Sequence, residues 1–195
     1  MIAVFDFDGT LCYGPTGIFL FASHPLWKSF PCIAGFALAQ FFHLQGRVEH
    51  RCIRGLDMNR AVRRAVKIPP VPAGVELFRE LEKDHRMIVM SYSFADVVRA
   101  YLKKLGLEAE VYAKEVVKEN GRAVRFSDDP VTEALLDDPV HGKRKVLQLA
   151  GLKPDICVGD NERRDRLCDN FVDIRKVEPD YVNKVIQAVR TFSTR

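Results

Sequence analysis

Three short apolar runs in this sequence each end on residues able to do chemistry. Residues 2–5 stop at Asp6-Phe7-Asp8-Gly9-Thr10, residues 87–90 at Ser91-Tyr92-Ser93, and residues 156–158 at Gly159-Asp160-Asn161. Carboxylates can serve as nucleophiles, as acid–base groups or as ligands for a hard cation, and hydroxyls can donate to an anion. Any one of these positions could be an ordinary turn-forming Asp or Ser. Their recurrence after three apolar runs far apart in the chain points instead to one shared site.

The elements that would position them follow from the pattern. The runs are too short for helices, continuous rather than alternating, and followed by polar residues, as expected of strands buried on both faces of a parallel sheet. Helical spacing lies between and after them. Val75, Leu77, Phe78 and Leu81 share one face, as do Val97, Val98, Tyr101, Leu102 and Leu105, with Gly106 as the stop. A last helix is expected over about 179–192, with Val182, Val185, Ile186 and Val189 inward. This alternation predicts an α/β fold, a doubly wound parallel sheet whose ligand sits off the carboxyl ends of the strands. Asp6, Asp8, Ser91 and Asp160 then converge on one crevice. Residues 115–117 and 123–126 flank Asn120-Gly121, a hairpin signal. Residues 128–141 read as an exposed loop with at most one helical turn.

The chain has 195 residues, 47% hydrophobic and 29% charged, enough for one domain with an insertion and far from collagen-like or disordered compositions. The sheet pattern stops at residue 12 and resumes at 73, so 1–12 and 73–195 form the core and 13–72 an inserted helical cap over the crevice. Pro69-Pro70-Val71-Pro72 is a stiff return linker. The cap holds eight Lys or Arg against Glu49 and Asp57, a net +6 in a chain of net +4, so an anionic partner is expected for this segment rather than for the whole protein. The five cysteines, Cys12, Cys32, Cys52, Cys157 and Cys168, fit no metal or disulfide framework. Free thiols and a cytoplasmic location are the expectation, and no secretory signal pattern is visible.

Taken in order, these motifs resemble the haloacid dehalogenase superfamily. Asp6-Phe7-Asp8-Gly9-Thr10 is similar to its DxDGT signature, and Ser91 to its second motif. Gly142-Lys143-Arg144-Lys145-Val146-Leu147-Gln148-Leu149 resembles a G-x-x-K-V-x-x-L third motif, and Gly159-Asp160 followed by Asp165 the GDxxxxD fourth. The resemblance implies a Mg²⁺-dependent phosphomonoester hydrolase. Asp6 would be the nucleophile forming an aspartyl phosphate, and Asp8 the general acid and then base. Ser91 and Lys145 would bind the phosphoryl oxygens. The Asp6 carboxylate, the Asp8 carbonyl and the Asp160 carboxylate would hold the metal. Asp165 would lie in the outer shell, and Thr10 would brace the loop or Asp8. Lys145 is preferred because its distances to Gly142 and Leu149 fit the pattern; Lys143 is the alternative. Ser93 and Tyr92 are further candidates near the phosphate.

Within that superfamily, haloalkanoate dehalogenases lack the second Asp, so Asp8 favours phosphoryl transfer. Phosphonate hydrolysis needs a Schiff-base lysine, and the cap's Lys28 and Lys67 have no matching context. A helical cap after the first motif resembles the phosphoserine-phosphatase-like branch, which implies a small phosphorylated metabolite as substrate. This cap is, however, poor in acidic groups. Residues 30–44 lack Asp, Glu, Lys and Arg but are shorter than the roughly 20 residues of a bilayer span. Arg47, Arg51 and Arg54, then Arg60, Arg63, Arg64 and Lys67, follow at helical spacing. An apolar run beside a basic face suits an anionic membrane surface, so the alternative is a phospholipid head-group phosphatase, similar to phosphatidylglycerophosphate phosphatases, peripheral to the membrane. A non-hydrolytic phosphate-binding or phosphotransfer protein is the second alternative. Nucleic acid is not the expected partner, because no RNA-binding signature accompanies the arginines.

Overall fold

A computed structural model describes residues 1–14, 16, 23, 24, 28, 30–32, 34, 35 and 45–176. The helix expected over 179–192 and most of the apolar run 30–44 lie outside the described residues. Strand β1 (Ile2–Phe5) sits in the middle of a five-stranded, all-parallel sheet. It is flanked by β2 (Arg86–Phe94) and β6 (Ile156–Gly159), with β3 (Glu110–Lys114) and β7 (Phe171–Asp173) outermost.

Alternation along β1 sends Ala3 and Phe5 into one hydrophobic cluster and Val4 into another. The first cluster packs helices α3 (Pro72–Leu81) and α4 (Ala95–Leu105) on one face of the sheet, with the Phe5 and Phe78 rings 5.1 Å apart. The second packs α5 (Pro130–Asp137) and α6 (Gly142–Leu149) on the other. Both faces are covered, which is why the strands read as unbroken apolar runs. The doubly wound α/β architecture is as the sequence predicts.

The register aligns the strand ends. Phe5 pairs with Val89 on one side and Val158 on the other, so the residues after each lie side by side. The Asp6 amide donates to the Val158 carbonyl (2.8 Å), extending the ladder one residue into the motif. Strand β2 does not stop at Met90 as its apolar run suggests; it continues to Phe94. Met90 pairs with Tyr112 and Phe94 with Lys114, so β2 spends four steps where β3 spends two. The surplus falls on Ser91, Tyr92 and Ser93. Such bulges re-aim side chains beside sites.

Residues 11–13 and 69–71 are tied together at one neck. The Tyr13 amide donates to Pro69 O (3.0 Å) and Val71 N to Leu11 O (3.1 Å). Among the described residues, this intervening segment contains helices α1 (Gln45–Ile53) and α2 (Met58–Ala65). Its α1–α2 turn joins the hairpin β4 (Val116–Glu119)–β5 (Arg122–Phe126), with Gly55 N on Ala123 O (2.7 Å) and Ala123 N on Leu56 O (2.9 Å). The hairpin turns where expected, with Asn120 and Gly121 both at positive φ. No helix among the described residues is long and apolar enough to cross a membrane.

Two expectations fail. Cys32 and Cys52 are not free thiols but a disulfide, their Cα atoms 5.6 Å apart; Cys12, Cys157 and Cys168 are free. A contact between sequence positions 20 apart in a cysteine-poor chain leaves no spacing signature. Residues 128–141, expected as loop, hold the two-turn helix α5. Asp129 caps it by accepting from Thr132 N (2.9 Å), Pro130 opens it, and Ala134, Leu135 and Leu136 are buried. The Asp-Pro-x-Thr-Glu start was the available signal. The Thr132 N–H and neighbouring donors outweigh partial burial and hold the Asp129 carboxyl below its ordinary range. Asp129→Ala should therefore cost about 1 kcal/mol in urea unfolding at neutral pH. Because the folded-state value is depressed, the difference between variant and parent should shrink as pH falls below about 4.

Candidate active site

The loop after β1 is wound tightly on one carbonyl. Phe7 O accepts from the amides of Thr10 (3.3 Å), Leu11 (2.9 Å) and Cys12 (3.2 Å). Gly9 takes φ +80°, and a Cβ there would stand 2.3 Å from Asp160 Oδ2. Only glycine permits both the turn and the approach of the β6 loop to the β1 loop. Asp6 and Asp160 are thereby brought into one crevice.

Asp6 is buried, and the ammonium of Lys143 lies 2.5 Å from its Oδ1. Thr10 Oγ1 stands 3.5 Å from its Oδ2, so Thr10 braces Asp6 rather than Asp8. Lys143 also donates to Asp165 Oδ1 (2.6 Å), while Asp165 Oδ2 accepts from Asn161 N (3.0 Å). Asp6, Asp160 and Asp165 each bring a carboxylate oxygen within 4.8 Å of the others. Three hard anionic ligands so close suit a divalent cation of the Mg²⁺ type. The Asp8 carboxylate is outside that cluster. Its Oδ1 accepts from Thr16 N (2.8 Å) and its Oδ2 from Thr16 Oγ1 (3.2 Å).

The lysine chosen from spacing is not the one at the site. Lys145 is about half exposed, its Nζ 3.6 Å from Asp138 Oδ2 on the outer side of α6. Lys143 is 2% exposed, on the inward stripe with Val146 and Leu147. Gly142 abuts α5, where a Cβ would be 2.5 Å from Ala134 O, and this contact drives the first turn of α6 into the crevice. The signal was present: residues 143, 146 and 147 follow i, i+3, i+4 spacing, which places Lys143 on the core face.

Ser91 is fully buried, and its Oγ accepts from Ser93 N (2.9 Å). Ser93 Oγ lies 2.6 Å from Thr16 Oγ1, so a hydroxyl chain runs from the β2 bulge to Asp8. Tyr92 donates to Asp138 O (3.2 Å), and its ring lies 5.6 Å from the Lys143 ammonium, a packing role. Thr16 is the partner the sequence does not reveal. It lies within the inserted segment, and no motif marks it.

Burial dominates the electrostatics. It pushes the Asp6 carboxyl up to about 8; Lys143 opposes this and the negative charge of Asp165 adds to it. Asp8 is also raised by burial, against the Thr16 hydrogen bonds and the charges of Lys143 and Lys114. Burial and Asp165 raise Asp160. For Lys143 burial pulls downward, but Asp6 and Asp165 outweigh it, so the ammonium stays charged. Asp8 can thus hold a proton beside an Asp6 that a cation would ionise. Lys143→Met removes the ammonium from two buried carboxyl groups, and although Asp6 can then keep its proton, the change should cost about 3 kcal/mol near neutral pH, less in acid. Lys145→Met should stay within about 0.5 kcal/mol. Parallel denaturant titrations distinguish the two.

A family model described as haloacid dehalogenase-like hydrolase matches residues 3–162. No curated protein matches the chain. Among solved structures, a substrate-bound phosphoserine phosphatase complex is similar at 16% identity, with TM-score 0.63 over 94% of this chain and 96% of that one. A phosphoserine phosphohydrolase-like protein from Francisella tularensis subsp. tularensis SCHU S4 is 15% identical, with TM-score 0.62 over 84% and 79% of the two chains. A cytosolic 5'-nucleotidase IIIB bound to cytidine is 12% identical, with TM-score 0.59 over 100% and 88%. At such identities the likeness is one of fold. The family match covers most of the sequence and every motif from Asp6 to Asp160, and the chain belongs to the haloacid dehalogenase-like hydrolases.

Proposed function

We propose that this chain is a Mg²⁺-dependent phosphomonoesterase working through an aspartyl phosphate on Asp6, with a small phosphorylated metabolite as substrate. The observation that carries the reading is the pairing of two differently held carboxylates. Asp6 lies against Lys143 and Thr10 at the end of β1, and Asp8, two residues on, is half-buried and held by Thr16. The similar structures include phosphoserine phosphatases and a 5'-nucleotidase, which supports phosphate ester chemistry.

Asp6 attacks phosphorus in line, and the bond from phosphorus to the leaving oxygen breaks. Asp8 gives that oxygen its proton, then takes one from the water that attacks the phosphoryl group. Phosphate leaves and the Asp6 carboxylate is restored. Lys143 and Ser91 neutralise and orient the phosphoryl oxygens. Asp6, Asp160 and the Asp8 carbonyl would hold Mg²⁺, with Asp165 and its Lys143 contact behind them. Bound there, the ion supplies the positive charge that lets a phosphate dianion approach these carboxylates. The segment 13–72 acts as the cap, and Thr16 couples it to Asp8.

A second reading, a lipid head-group phosphate at a membrane face, is supported by the solvent exposure of Arg51, Arg54, Arg60, Arg63 and Lys67. Retention on anionic vesicles that weakens with salt would favour it.

The test is phosphate release with Mg²⁺ from phosphoserine, sugar phosphates, nucleotides and micellar phosphatidylglycerophosphate. Asp6→Asn should lower turnover by about a thousandfold or more; turnover unaffected by Asp6→Asn would refute the nucleophile. Because the Asp6 carboxyl lies near 8 without metal, Mg²⁺ must displace a proton. Its affinity should rise between about pH 6 and 8, and calorimetry in buffers of different ionisation enthalpy should show proton release.

A further inference from the structure

Outside the reacting groups, the described core contains one other buried ion pair, and it joins the inserted segment to the sheet. Glu49 comes from α1 and Lys114 from the last residue of β3, with Glu49 Oε2 2.5 Å from Lys114 Nζ. Their side chains are 10% and 3% exposed. The ammonium lies 5.7 Å from the Phe94 ring centroid and 5.9 Å from that of Phe126, and the His50 ring meets Phe126 edge-on at 5.1 Å. Lys114 pairs in register with Phe94, the residue after Ser93, so the pair stands at the carboxyl edge beside the hydroxyl chain to Asp8.

A surface lined by Phe94 and Phe126 would bury a third apolar side chain at a gain. It takes a charge pair instead. Two ions withdrawn from water recover in mutual attraction about what they lose in hydration, so such a pair holds two surfaces together with little net free energy. Separation costs little because both ions are rehydrated. An apolar contact of the same size has no such return. The Ile53 end of α1 is anchored, fully buried in the first cluster and followed by the turn that hydrogen-bonds the hairpin through Gly55 and Leu56. We infer that Glu49 and Lys114 are positioning residues that seat the preceding part of α1 on the crevice edge while keeping that contact easy to break, so that α1 can swing about its Ile53 end to admit substrate and release phosphate. The kinetic part of this inference rests on the phosphatase reading above; the docking part does not.

The experiment compares the parent with the apolar pair Glu49→Leu/Lys114→Met and with Lys114→Met alone. Amide hydrogen exchange is read over residues 48–53 of α1, with 97–102 of α4 as internal reference. The apolar pair should slow α1 exchange about tenfold or more relative to α4, and Lys114→Met alone should speed it, because Glu49 is then buried without a partner. On a phosphomonoester that the parent hydrolyses, the apolar pair should lower kcat with KM unchanged or lower, and the kcat of the parent should fall with solvent viscosity more weakly than that of the pair. Unchanged or faster α1 exchange in the apolar pair, with α4 unchanged, overturns the inference. Slowed α1 exchange with kcat and KM both at parental values overturns its link to turnover. Slowed α1 exchange in a chain that hydrolyses no phosphomonoester upholds the docking role and rejects the phosphatase reading instead.

Discussion

Asp6 and Asp165 are buried against a single Lys143, so this pocket holds one more carboxylate than ammonium before Asp160 is counted. That imbalance organises the rest of the molecule. Burial, with the charge of Asp165 added, raises Asp6 out of the ordinary carboxylate range, burial raises Asp8 as well, and the unmatched carboxylates leave a net demand for positive charge. The demand is met only where several backbone segments meet closely. Hence the β1 loop winds on Phe7 O, Gly9 lets Asp160 in, and Gly142 presses α6 onto α5 so that Lys143 reaches inward. None of these devices adds much to the core. Each brings charges together at a distance that water would otherwise fill.

Sequence reading reached the parts of this arrangement that depend on local pattern. Apolar runs of strand length ending in Asp or Ser mark the sheet, its parallel sense and the approach of Asp6 to Asp160. Asn120-Gly121 gave the hairpin, and Gly106 the end of α4. What escaped depends on contacts across the chain. Thr16 meets Asp8 only because the inserted segment folds back, and Cys32 meets Cys52 for the same reason. The lysine differs for another cause. Distance to a motif glycine points to Lys145, whereas helical facing, the stripe of Lys143, Val146 and Leu147, identifies the buried position. Helix α5 is hidden in the sequence because two prolines and several acids resemble a loop, although Asp129 and Pro130 are also a helix start.

The β2 bulge shows how a regular element can serve a site without ending. Had β2 stopped at Met90, Ser91 and Ser93 would lie on an untethered turn. Pairing of Phe94 with Lys114 resumes the ladder beyond them, so both hydroxyls are held from two sides. Rigid elements hold reacting groups more closely than free loops do, and here the irregular stretch is short and clamped.

The neck at Leu11–Tyr13 and Pro69–Val71 has a consequence for how this fold can vary. Two chain ends already hydrogen-bonded to each other can be joined by segments of very different length at a closure cost that grows only with the logarithm of that length. Length is therefore free at the neck, but content is not: Ile53, Leu56, Met58, Ala61, Ala65 and Ile68 complete the first hydrophobic cluster, and Glu49 is buried against Lys114. A chimaera joined at the neck keeps the β1 loop only if the new segment carries an apolar face of matching shape, so the lid over this hydrolytic centre is also a wall of its core.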